Sequence, residues 1–171
     1  MLHSTIDFDM SGFEPTARKR FKPYVNLGSC YSKKMLLEVE EFEDIERRHL
    51  AGEKLNLDED TKSRLVRAVR CITNVYFILA PDQLKIKIGQ ARDVNKRLNS
   101  LRGSSPCELR LLASVRSYGD FEAYLHKKLA ASRLHGEWFM ADEKVLSVVE
   151  AAIDGGAREI LAALNIDIDA I

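Results

Sequence analysis

The chain has 171 residues, 46% of them apolar and 30% charged, which suits one globular domain with a modest appendage and excludes a disordered chain as a whole. The 26 basic and 26 acidic residues cancel. The longest apolar run, Val75 to Ala80, is far short of the ~20 residues that cross a bilayer, and Asp7 and Asp9 stand where a secretory signal needs a basic start and an apolar core. Three cysteines, Cys30, Cys71 and Cys107, form no Cys-x-x-Cys, which argues against a disulfide framework and a cysteine zinc site. A cytoplasmic protein with no membrane partner is the expectation.

Residues 1–32 mix Gly, Pro and Ser with a basic cluster, Arg18 to Lys22, and keep no period, so an irregular segment is expected there. From Lys33 to Leu50, Met35, Val39, Phe42 and Ile45 form one stripe of an amphipathic helix ended by Gly52. Its acids, from Glu38 to Glu46, read as a solvated face. A second helix opens at Asp58-Glu59-Asp60 and closes through Arg64, Arg67 and Arg70, charges that complement the helix dipole, with Leu65, Val66 and Val69 as its buried side. Residues 33–70 thus read as a helical extension that can serve a protein partner.

The character changes at Cys71. Val75 to Leu79 is rich in strand formers, Ala80-Pro81-Asp82-Gln83 is a turn, and Leu84 to Ile88 alternates apolar and polar residues, which predicts a β-hairpin. A turn at 80–83 would pair Leu79 with Leu84, Phe77 with Ile86 and Val75 with Ile88, and would set Tyr76 opposite Lys87. Asp93 caps a helix through Arg102, with Val94, Leu98 and Leu101 inward and Arg97 on the flank of that stripe. Leu109 to Val115 is a third strand. A helix from Asp120 to about Ala131 stacks Glu122 and His126 at i, i+4, and one more turn would add Arg133 to that line. Gly136-Glu137-Trp138-Phe139 is a turn into an extended segment that ranks as structural. A helix over Ala141 to Ile153 follows, then a short one and an acidic tail over 156–171.

Charge is segregated along the chain. Residues 85–137 hold eleven Lys and Arg against five acids, and residues 138–171 hold two against seven. A basic middle can present a phosphate-binding face, or the two regions can simply attract each other.

Asn74-Val75-Tyr76, Lys87-Ile88-Gly89, Arg97, Glu122 on a helix with His126, and Gly136-Glu137-Trp138-Phe139 occur in an order and spacing that resembles the GIY-YIG nuclease superfamily, in particular its phage and bacterial branch with Lys-Ile-Gly for Tyr-Ile-Gly. Asn74 stands for the first Gly and Lys87 for the second Tyr. The resemblance covers about residues 72–145. It implies a small α/β domain over 71–155, with a three-stranded antiparallel sheet flanked by helices, and a divalent-metal-dependent endonuclease acting on DNA. It also implies that Tyr76 helps deprotonate the attacking water, that Lys87 orients it, that Arg97 holds the phosphate, and that Glu122 binds one Mg²⁺ or Mn²⁺ ion.

Those roles make chemical sense. Phosphodiester hydrolysis needs charge stabilisation at the phosphate, a metal facing the leaving oxygen and an activated water. Arginine offers a bidentate fork, and a lone carboxylate with several waters is typical of Mg²⁺. His126 can ligate, shuttle a proton or only pack. The cations assigned to DNA are Lys85, Arg92, Arg97, Arg102, Lys127 and Arg133. A non-catalytic DNA-binding module on the same scaffold is the alternative.

Overall fold

The structure, a computed structural model, describes residues 31–171. The expectations for the basic cluster at Arg18 to Lys22 and for Cys30 lie outside the described residues. Among these residues no helix is long and apolar enough to cross a membrane.

Two helices lead. Helix α1 spans Lys33–Leu50, with the Ser32 hydroxyl accepting from Met35 N, and α2 spans Glu59–Cys71, with the Asp58 carboxylate accepting from Thr61 N. These caps satisfy N–H groups that a helix start leaves without partners. The buried face of α1 is Leu36 and Val39, so the expected stripe is rotated to include Leu36. On α2 the buried residues are Leu65 and Ala68, whereas Val66 and Val69 stay more than 40% exposed, which corrects the expected face. The correction follows from what α2 packs on: α1 takes a narrow i, i+3 stripe of it, and ion pairs hold the flanks. Arg64 meets Glu41, and Arg67 meets Glu38.

The acids of α1 are therefore not simply a solvated face. Glu46 pairs with Arg116, Glu40 with Arg158, and Glu38 accepts from the Tyr118 hydroxyl. These contacts reach residues on the sheet and at the C-terminal end of the chain. Leu36 and Val39 enter the same core as the sheet's inner face.

Five antiparallel strands form one sheet in the order β3-β1-β2-β5-β4, where β1 is Ile72–Ala80, β2 Lys85–Ala91, β3 Arg110–Tyr118, β4 Arg133–His135 and β5 Trp138–Met140. The α/β class stands, but the expected count of three strands is corrected to five. The two extra strands are three residues each, too short to show a period, and Gly136 turns between them with φ +54°. The fourth helix, α4, is Asp120–Lys128 and stops before the expected Ala131. Leu129 then plugs the core, a 3₁₀ turn covers Ala130–Ser132, and Arg133 opens β4 instead of extending the helix. Ser132 is buried, and its hydrogen bond to Asp142 holds that carboxyl below its usual value. Asp142 in turn caps α5, Glu143–Asp154, which α6, Ala157–Ala163, follows.

The hairpin register is also corrected. Its connection is a 3₁₀ turn, Pro81–Gln83, closed by Leu84 in the left-handed region at φ 49°, and Leu84 is 71% exposed rather than paired. Phe77 therefore faces Ile88, Leu79 faces Ile86, Ile78 faces Lys87 and Tyr76 faces Gly89. A slip of two residues preserves the faces, because side chains alternate with period two. Val75, Phe77, Ile86 and Ile88 still share the inner face with α1, α4, α5 and α6. Tyr76, Ile78 and Ala80 share the outer face with Leu98 of α3, Val94–Ser104, and with Leu109.

Candidate active site

The outer face of the sheet carries part of the polar constellation, and α4, packed on the inner face, brings the rest to the edge of β2. Tyr76 on β1 lies across Gly89 of β2, where a Cβ would come within 2.6 Å of Tyr76 Cζ and closer still to its hydroxyl. The glycine is needed because an aromatic ring occupies the place of its side chain. Laid flat in this way, Tyr76 is 1% exposed, and its Oη accepts from Arg97 Nε at 3.5 Å. Arg97 projects from the first turns of α3, whose N-terminus is capped by the Asp93 carboxylate. The bond from Tyr76, and behind it the charges of Glu137 and Glu122, push the Arg97 guanidinium above its usual pKa and keep it charged. Gly89→Ala is expected to displace the ring, break the Tyr76–Arg97 link and lower stability by about 1–3 kcal/mol, read by denaturant unfolding.

Lys87 is two residues along β2 from Gly89 and on the same face, so it is a diagonal neighbour of Tyr76 rather than its direct partner. It is only 8% exposed. Its ammonium donates to the Glu137 carboxylate and lies 5.5 Å from the centre of the Trp138 ring. An ammonium taken out of water is costly without such a partner. From sequence alone Glu137 ranks with Trp138 and Phe139 as structural; the pairing of β5 with β2 is what brings its carboxylate to Lys87. No local signal marks that contact.

Where β5 ends, α4 takes its place beside β2. His126 Nε2 donates to the Ile88 carbonyl at 2.9 Å, and the imidazole packs 5.0 Å from the Phe139 ring. Because a carbonyl only accepts, Nε2 carries the proton and Nδ1 keeps its lone pair. Burial pushes the His126 pKa down, which favours this neutral form. Glu122 Oε1 lies 3.8 Å from His126 Nε2. Burial, then the charge of Glu137, push the Glu122 carboxyl up to about 7, while Lys87, Arg133 and Arg97 act in the opposite sense. Two half-buried carboxylates that repel each other suit a cation between or beside them. Among the described residues no group of three or more His, Cys, Asp or Glu is arranged to hold a metal ion, so a cation here would rely on Glu122 and water, a set that Mg²⁺ accepts.

Tyr76, Lys87 and Arg97, on the outer face, thus lie within electrostatic range of Glu122 and His126, which reach the edge of β2 from α4 on the inner side, and the charge of Arg133 acts on both Glu122 and His126. Arg133 Nε donates to the Gly136 carbonyl at 2.6 Å. The other expected DNA cations sit elsewhere. Lys85 is at the far end of β2 beside Gln83, and Arg92 donates to the Arg70 carbonyl. Arg102 spends two donors on the Leu109 carbonyl, at 3.1 and 2.9 Å, which ties α3 to β3. Lys127 is exposed on α4.

Residues 73–154 match the T5orf172 domain. The T5orf172 match covers just under half of the chain and contains every residue of the constellation, Tyr76 through Glu137. No curated protein and no solved structure matches the chain.

Proposed function

We propose that residues 71–155 form a divalent-metal-dependent endonuclease domain that hydrolyses DNA phosphodiester bonds. The observation that carries this reading is the convergence of Tyr76, Arg97 and Lys87 of the outer face with Glu122 of α4 at the edge of β2, with the Glu122 carboxyl pushed up to about 7 by burial and by a second carboxylate. The T5orf172 match supports it at the coarser level of a DNA-related function.

The roles follow from donors and acceptors. Arg97 uses Nε on Tyr76, and its terminal nitrogens remain to form a fork on a phosphate. Tyr76 Oη accepts from Arg97 and keeps a lone pair and its own proton for a water at the phosphorus. Lys87 gives one N–H to Glu137 and has two more to orient that water or meet a phosphate oxygen. The neutral His126, whose Nδ1 keeps its lone pair, can take up a proton. Glu122 would hold the one Mg²⁺ or Mn²⁺ ion, which when bound would offset charge on the leaving oxygen. Residues 33–70 serve as an extension, open to a protein partner.

The non-catalytic module is favoured by one observation: Lys87 is buried and paired, so the position assigned to water orientation is already engaged. Supercoiled plasmid incubated with Mg²⁺ or Mn²⁺, with wild type beside Arg97→Ala, decides between the two. Nicking by wild type alone supports the nuclease, and binding without nicking selects the module. In either case affinity is expected to fall with salt. With about 3–5 phosphates neutralised, the log–log slope is about −3 to −4.5. A slope near zero removes the nucleic-acid reading.

A further inference from the structure

At the other end of the outer face lies a recess of ≈ 170 Å³ that the reaction does not use. Its walls come from three connections: the β1–β2 turn, the chain between α3 and β3, and the β4–β5 hairpin. Trp138, Leu109 and Pro106 supply apolar surface, and Gln83, Lys85 and His135 supply polar groups. The polar wall is held in place. Lys85 Nζ donates to Gln83 Oε1 at 3.2 Å, and Gln83 Nε2 donates to the Cys107 sulfur at 3.1 Å.

We propose that this recess binds a single nucleobase of the DNA strand whose phosphate lies at Arg97, an inference that rests on the DNA reading above. Its volume is below the ordinary range for drug-sized ligands, so it suits one small ring system. Flat apolar walls with a few donors match a planar heterocycle that carries carbonyl and ring-nitrogen acceptors, whereas a bare phosphate would need more charge and less apolar surface. Aromatic side chains hold bases of single strands in this way without strict sequence preference.

Trp138 links the recess to the proposed active site, since it lines the one and meets Lys87 of the other. The Lys87 ammonium lies between the Glu137 carboxylate and the Trp138 ring. Ala80, at the recess, is four residues along β1 from Tyr76, or about 13 Å at the rise of a strand. That span equals about four steps of a B-form strand and fewer of an extended one, so the base belongs to a nucleotide close to the scissile bond.

Trp138 is the chain's only tryptophan, so its fluorescence reports on this wall alone. The test uses the full chain without divalent metal, titrated at low salt with a thymidine hexanucleotide. The same titration uses a hexamer of abasic sites, which has the same backbone charge. The hexanucleotide is expected to quench Trp138 and to bind about tenfold or more tighter than the abasic hexamer, which should leave the fluorescence unchanged. A Gln83→Ala, His135→Ala double variant, altered only at exposed positions, should shrink that gap while its affinity for the abasic hexamer stays the same. Equal affinities for the two hexamers overturn the pocket but leave backbone binding standing. So does a gap that the double variant keeps in full with Trp138 unquenched. No binding of either hexamer overturns the pocket and the DNA reading together.

Discussion

Arg97→Ala is expected to abolish detectable nicking and to weaken metal-free DNA binding together. The arginine is exposed on α3, and its described partner is the Tyr76 hydroxyl at 3.5 Å, a long bond that leaves most of the guanidinium available. Loss of a preorganised donor at a phosphoryl centre costs about 10²–10³ in rate. Loss of one charge-assisted contact costs about 1.5–3 kcal/mol of binding, and one fewer neutralised phosphate makes the salt slope shallower by about 0.9. Stability should fall by about 1 kcal/mol, because the side chain buries little surface but partners the buried Tyr76 hydroxyl. Arg97→Lys keeps the charge and loses the fork, so it should recover binding better than cleavage. An Arg97→Ala protein that nicks plasmid at the wild-type rate removes the arginine from the site.

Glu122→Gln separates catalysis from binding, and the structure changes what it should do to stability. In the fold the carboxyl has its pKa pushed up to about 7 from 4.5, with burial as the largest cause and Glu137 next. A carboxyl with a raised folded pKa binds more protons folded than unfolded between those values. Its contribution is therefore intact below about 4.5, declines as pH rises, and is fully lost above about 7. The ionised carboxylate thus destabilises the metal-free protein at pH 8, by at most about 3 kcal/mol at 1.36 kcal/mol for each unit.

The Gln variant removes that penalty. Its melting temperature at pH 8 without metal should exceed that of wild type, and the difference should vanish near pH 4. Cleavage should be lost by about 10²–10³ or more, and metal-free DNA binding should be equal or tighter, since a carboxylate repels phosphate. Wild-type cleavage should rise with pH as the carboxylate forms, with a midpoint below about 7 that moves lower as the Mg²⁺ concentration rises, because a bound cation favours the ionised form. Retained cleavage in Glu122→Gln removes the metal-ligand role.

Interactions between neighbours in the chain were legible without a structure. The limits of α1 follow from its cap and from the glycine after its last turn, and Asp58 and Asp93 mark helix starts through bonds that span three residues. The alternation of β1 and β2 decided which residues share a face. That result survived a register error of two, since a period-two pattern returns to the same face. The order of Tyr76, Lys87, Arg97 and Glu122 could also be read, together with a resemblance.

Tertiary structure decided the rest. The register depended on Leu84 taking a left-handed conformation that a leucine does not advertise. The fourth and fifth strands are three residues each and gain their hydrogen bonds only in the assembled sheet, β5 by adding to the edge of β2 and β4 by adding to β5. Glu137 meets Lys87 across fifty residues of sequence. The raised pKa of Glu122 comes from desolvation where α4 lies beside β2, and from the nearness of Glu137. Charge and burial act through space, so residue types and their spacing named the candidates, while only the packed sheet decided which of them face one another and in what protonation state.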